Sequence, residues 1–103
     1  MFDRILKVMQ DKIRKRDYIM SIHAEEEMGN DELTIYDVEC GILNGKILER
    51  QRDKDTAEWK YKVNGQTISG DEIEVIAKLS HLRRSAQMTL LCSYGMTPGM
   101  RSC

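Results

Sequence analysis

The chain holds little of what would tie it to a membrane, a disulfide framework or a metal. It has a single proline, Pro98, a single tryptophan, Trp59, a single phenylalanine, Phe2, and only two histidines, His23 and His81. No apolar run approaches the roughly 20 residues needed to cross a bilayer. Met1-Phe2-Asp3-Arg4 lacks the basic start and apolar core of a signal peptide, so a cytoplasmic protein without a membrane role is expected. The three cysteines, Cys40, Cys92 and Cys103, form neither a close pair nor an even set, which favours a reducing compartment. With so few soft ligands, no metal and no cofactor are expected. Nor is there an excess of either charge: 16 basic against 17 acidic residues leave a formal net charge of −1. Any attraction to phosphate must therefore come from a local patch.

What is present is ordinary globular material. Hydrophobic residues make up 41% and charged residues 32% of 103 positions, enough for one domain with one core and far from the balance of a disordered chain. The expected domain spans 1–94. The tail 95–103, with two glycines, Pro98 and no periodicity, is expected to fray.

Phe2, Ile5, Leu6, Met9 and Ile13 recur at helical spacing, with Asp3 early and Lys12, Arg14, Lys15 and Arg16 late, as a helix dipole prefers. An alternating strand is expected over Tyr18–Ile22, then a short helix from His23 to Met28 closed by Gly29-Asn30-Asp31. Thr34 offers an N-cap, with Asp37 as its capping-box partner, to a helix that presents Ile35, Val38, Ile42 and Leu43 and stops at Asn44-Gly45. From Lys46 the period changes to two. Strands are expected from Lys46, over Glu58–Val63 with a hairpin turn at Asn64-Gly65, over Glu72–Ser80 and, after a loop His81–Ala86, over Gln87–Tyr94. The expected fold is α+β, with N-terminal helices packed on a curved antiparallel sheet of about four to five strands.

Three groups of residues carry candidate chemistry. His23 stands at a strand-to-helix junction with Glu26 and Glu27 three and four residues on, where a carboxylate can orient an imidazole as a general base; equally, His23 can serve to cap the corner. Around Trp59, the aromatics Trp59 and Tyr61 share one face of a strand and Glu58, Lys60 and Lys62 the other. Aromatics can stack on bases while lysines hold phosphates, or the division can simply be core against solvent. Lys78, Arg83 and Arg84, joined by Arg14, Lys15 and Arg16, form a basic rim if folding gathers them. Metal-free RNA cleavage needs a base at a 2′-hydroxyl, cations at the phosphate and an acid at the leaving oxygen.

His23-Ala24-x-Glu26-x-Met28, Leu33-Thr34, Asp37-Val38, Asn44-Gly45-Lys46-Ile47-Leu48-Glu49, Lys60-Tyr61-x-Val63-x-Gly65 and a last strand ending in Tyr94 together resemble the domain of unknown function 4258 family, over about Asp17 to Tyr94. The resemblance implies a fold akin to the RelE-like and MqsR-like toxins and a place in prokaryotic toxin–antitoxin pairs. It further implies a metal-independent endoribonuclease acting on mRNA and silenced by a small antitoxin of zinc-finger or helix-turn-helix type. Carried onto this chain, it points to His23, Glu26, Tyr61 and Tyr94, with Lys60 beside them, as catalytic positions; the rim residues Lys78, Arg83 and Arg84, read from the sequence itself, are then the expected RNA contacts. The common pattern has arginines where this chain has Glu27 and Asp31. Those exchanges favour an alternative: a non-enzymatic protein-binding module of the same fold, whose acidic face Glu25-Glu26-Glu27 with Asp31-Glu32 meets a basic partner.

Overall fold

A computed structural model describes residues 2–30, 32–55, 58–82 and 85–95, with 81–82, 85–86 and 92–95 as backbone. Three helices, α1 (Asp3–Arg14), α2 (Ile22–Asn30) and α3 (Ile35–Leu43), accompany five strands, β1 (Ile19–Met20), β2 (Lys46–Arg52), β3 (Trp59–Gln66), β4 (Glu72–Leu82) and β5 (Ser85–Gly95). The strands form one sheet in the order β1-β5-β4-β3-β2.

The meander β2 to β5 is antiparallel throughout, as alternation predicts. The sheet as a whole is mixed, because β1 pairs with β5 in parallel, Ile19 beside Thr89 and Met20 beside Leu90. That corrects the all-antiparallel expectation. A parallel pair needs a long crossover, and everything from α2 to β4 supplies it.

The tract expected as the strand Tyr18–Ile22 is cut short by Ser21. Its hydroxyl accepts from the Ala24 backbone N–H at 3.1 Å and its carbonyl accepts from Glu25 N–H at 3.1 Å, so it caps α2 one residue earlier than alternation suggests. At the far end α2 continues through Gly29 and Asn30. In α3 the capping box is complete: the Thr34 hydroxyl accepts from Asp37 N–H at 3.2 Å, while the Asp37 carboxylate accepts from Thr34 N–H at 3.0 Å. Asn44-Gly45 closes that helix as expected.

Asn64-Gly65 makes no turn. Both residues lie inside β3, and the chain reverses over Thr67–Gly70, where Gly70 takes a φ of +92°. Gly65 is needed for contact rather than for turning, since a Cβ there would collide with the carbonyl oxygen of Gly41 in α3. Asn44 fastens the same junction, its side chain accepting from Gln66 N–H at 2.8 Å and donating to Gln66 O at 3.0 Å. The expected loop His81–Ala86 is likewise shorter, as pairing continues to Leu82 beside Ser85. Arg83 and Arg84, and the tail 96–103, lie outside the described residues.

The core lies between the helices and one sheet face. Met9 and Ile13 of α1 and Val38 and Ile42 of α3 pack on Val63, Ile73, Val75, Ala77, Met88 and Leu90, each 2% exposed or less. Burial of an aliphatic side chain of this size stabilises by about 1.5–3 kcal/mol. Tyr18 ties the α1–β1 connection to α3 by donating its hydroxyl hydrogen to Glu39 at 2.5 Å. Burial first and this carboxylate second push the phenol well above its ordinary range.

Candidate functional site

Side chains of a strand alternate, so the face opposite the core carries Lys60, Lys62 and Asn64 of β3 beside Lys78, Ile76 and Glu74 of β4. Lys62 occupies its centre. Its ammonium lies 2.9 Å from Glu49 of β2 and 3.7 Å from Glu74 of β4, and Glu74 is only 5% exposed. The hydrogen bond to Glu49, opposed by burial and aided by the Glu74 charge, raises the Lys62 pKa. A buried carboxylate and a lysine clamped between two acids hold three strands in register, an arrangement better suited to staying charged than to moving protons.

At one end of this face Lys60 pairs across the strands with Lys78, and Lys78 with Thr89. Lys78 is neutralised by Glu58 at 3.2 Å. Lys60 has no ion-pair partner among the described residues. Round the β2 edge, on the core-side face, the Arg50 and Arg52 guanidinium carbons stand 4.0 and 5.0 Å from the centre of the Trp59 ring. Such contacts stabilise by about 0.5–2 kcal/mol, depending on solvent access. This end of the sheet therefore gathers Lys60, Lys78, Arg50, Arg52 and an indole.

Tyr94 belongs to the other end. It pairs with Glu74, which pairs with Asn64, which pairs with Lys46. Four residue steps along β3 separate that row from Lys60, a distance of about 13 Å. His23 lies in the first turn of α2, whose position is set by Ser21. Ser21 N–H donates to Leu90 O at 2.9 Å and its hydroxyl to Leu91 O at 3.0 Å, so α2 starts alongside the middle of β5, between Thr89, in the row of Lys78, and Tyr94. His23 and Glu26 are both exposed on α2, and no hydrogen bond or ion pair joins them.

The structure thus brings Lys60 to Lys78 and keeps both away from the row of Tyr94, with Ser21, ahead of His23, anchored between the two rows. Tyr61 joins neither. It is 6% exposed, its ring edge-on to Phe2 with centroids 6.1 Å apart, because it shares the core parity of Val63. The basic end of α1 is drawn elsewhere as well: Arg14 pairs with Asp11 at 3.1 Å and Arg16 lies over Tyr36. Sequence reasoning missed two features, the Lys62 clamp and the arginines on Trp59. Arg50 and Arg52 carry the same two-residue spacing as Trp59 and Tyr61, a signal that each pair shares a face. Only the register, Arg50 beside Tyr61 and Arg52 beside Trp59, tells which faces meet.

Among the described residues no cluster of three or more histidines, cysteines or carboxylates is placed to hold a metal ion, and no helix is long and apolar enough to cross a membrane. Comparison with curated proteins and with solved structures produced no match. The family model of the domain of unknown function DUF4258 matches residues 20–83, from the end of β1 through the whole of β4. That stretch includes the His23 helix, the Asn44–Glu49 segment, the Lys62 clamp and the basic end of the sheet, and it stops short of Tyr94. Since it covers more than half of the chain, this protein belongs to the DUF4258 family.

Proposed function

We propose that this protein is the toxin-like member of a prokaryotic toxin–antitoxin pair, a metal-independent endoribonuclease acting on mRNA with a fold akin to the RelE-like and MqsR-like toxins. The observation that supports this reading best is the basic end of the sheet. Lysine without a counter-ion among the described residues, a second lysine beside it and, on the other face, two arginines over a half-buried indole suit a single-stranded RNA that passes round the β2 edge, whose phosphates need cations and whose bases need flat partners. Lys60 and Lys78 then hold the strand some way from the bond that breaks.

Cleavage belongs to the His23 and Tyr94 end. One of these groups withdraws the 2′-hydroxyl proton, the 2′-oxygen bonds to phosphorus, and the P–O5′ bond breaks to leave a 2′,3′-cyclic phosphate. A proton returned to the departing 5′-oxygen completes the step. Glu26, one helical turn from His23, orients the imidazole once RNA is bound, and Tyr61 is left to packing. A small zinc-finger or helix-turn-helix antitoxin would silence the protein by covering the sheet or extending its edge.

The test is induced expression of the wild type beside His23→Ala and Tyr94→Phe at matched soluble levels, with mapping of new RNA ends in the presence of chelator. Growth arrest and cyclic-phosphate ends in the wild type, both lost in the variants, are expected. A harmless wild type with intact RNA would end the ribonuclease reading.

One observation favours a second reading in that event. Glu25 and Glu26 are exposed on α2 beside Ile22, which is 74% exposed. An acidic helix face with an apolar residue at its start suits a basic protein partner, and the protein would then be a binding module without catalysis.

A further inference from the structure

Beyond the basic end, the same open face finishes in a polar cleft of about 520 Å³ between the start of β2, the end of β3 and the turn that leads into β4. Its size falls in the range that takes a small-molecule ligand of nucleotide size. Four side chains give it chemistry. Glu72 presents a carboxylate whose Oε2 accepts from Asn64 Nδ2 at 2.8 Å, so the group is held in one orientation while most of its lone pairs stay available. Gln66 has its backbone occupied by Asn44 and its carboxamide without a partner among the described residues. Lys46 is exposed and carries no ion pair there. Gly70, with positive φ and open space where a Cβ would stand, leaves one wall bare.

We infer that this cleft binds the guanine base of a nucleotide. The inference deepens the RNA reading above and rests on it for the substrate class. Among the four RNA bases, guanine alone offers two adjacent donors, N1–H and N2–H, on its pairing edge, and a fixed carboxylate accepts both at once. Adenine, cytosine and uracil each offer Glu72 one donor at most on that edge. The Gln66 carboxamide can donate to guanine O6, and Lys46 reaches the adjoining phosphate. The register places Lys46, Asn64 and Glu74 in the row of Tyr94, next to the cleft. A base held here is therefore held beside the proposed cleavage end, and cleavage next to guanosine follows.

The experiment titrates the full chain with guanosine, adenosine, cytidine and uridine 3′-monophosphates and with inorganic phosphate, following backbone amide shifts of Lys46, Gln66 and Gly70. Guanosine monophosphate should bind most tightly. Glu72→Gln keeps an acceptor for Asn64 yet loses the paired acceptors, and should cost roughly ten- to a hundredfold in guanosine affinity while leaving the other three unchanged. Lys46→Ala should weaken all four nucleotides alike without altering their order. Thermal unfolding of both variants shows whether they remain folded, and the wild-type order of affinities is decisive even if one does not. Equal affinity for the four nucleotides, shifts reproduced by phosphate alone, or a preference that survives Glu72→Gln overturns the inference. Guanosine selectivity without RNA cleavage would leave the pocket standing and remove the ribonuclease; cleavage without guanosine selectivity would do the reverse.

Discussion

At the scale of single residues, the side chains that settle local structure are the short polar ones. Thr34 and Asp37 exchange hydrogen bonds at the start of α3, and Asp37 also accepts from Ile68 N–H at 3.2 Å, so one carboxylate serves both a helix cap and the β3–β4 turn. The Thr34 backbone hydrogen bond leads the causes that hold the Asp37 carboxyl below its ordinary value, against a smaller opposing effect of burial. A carboxyl depressed in the folded state adds stability above its unfolded pKa and loses it as pH falls through the folded one. Thr34→Ala should therefore cost about 1 kcal/mol at neutral pH, and Asp37→Asn should flatten the acid limb of the stability curve below about pH 4. Urea unfolding across that range checks both, and parallel acid limbs for wild type and Asp37→Asn would show that the charge of the Asp37 carboxylate contributes nothing. The Thr34–Asp37 spacing was readable in advance because both partners lie within one turn. The bond from Asp37 to Ile68 was not, because 31 positions separate them.

At the scale of elements, contact overrides local preference. Asn-Gly is among the strongest two-residue hairpin signals, yet here it lies within a strand because α3 crosses β3 so closely that Gly65 meets the Gly41 carbonyl. Gly65→Ala should destabilise by about 1–3 kcal/mol or more through forced separation of helix and sheet. Gly29→Ala, in α2 with nothing within 4 Å of the added carbon, should be neutral or stabilising by up to about 1 kcal/mol. Comparing their urea midpoints separates packing from chain entropy, and equal effects would mean that the close approach has no energetic weight. Ser21 shows the same competition in β1. Alternation from Tyr18 to Ile22 reads as a strand, but a serine able to cap a helix ends it after two residues.

At the scale of the whole molecule, a nearly neutral chain distributes its charge unevenly. On the open face, Glu49 and Glu74 hold Lys62, Glu58 holds Lys78, and among the described residues Lys60 at the basic end and Lys46 at the cleft keep their charges unshared. If single-stranded RNA crosses this face, Lys60→Ala should lower the slope of log affinity against log salt by about 0.7, the share of one phosphate contact. Fluorescence titration with an unstructured oligonucleotide over a range of salt measures it, and an unchanged slope would take Lys60 out of the interface.

Within the chain's own order, residues set helices α1 and α3, the change to period two at Lys46, the antiparallel meander and the parity that divides Tyr61 and Val63 from Lys60 and Lys62. Each of these depends on neighbours a few positions apart. Only the tertiary structure decided that β1 returns beside β5 in parallel, that Asn64-Gly65 stays extended, that Tyr61 is spent on the core, and that Lys60 stands about 13 Å from the row of Tyr94. These outcomes depend on strand register and on the approach of segments far apart in sequence, and such contacts are chosen by which packing buries the apolar face most completely, a property that no local window contains.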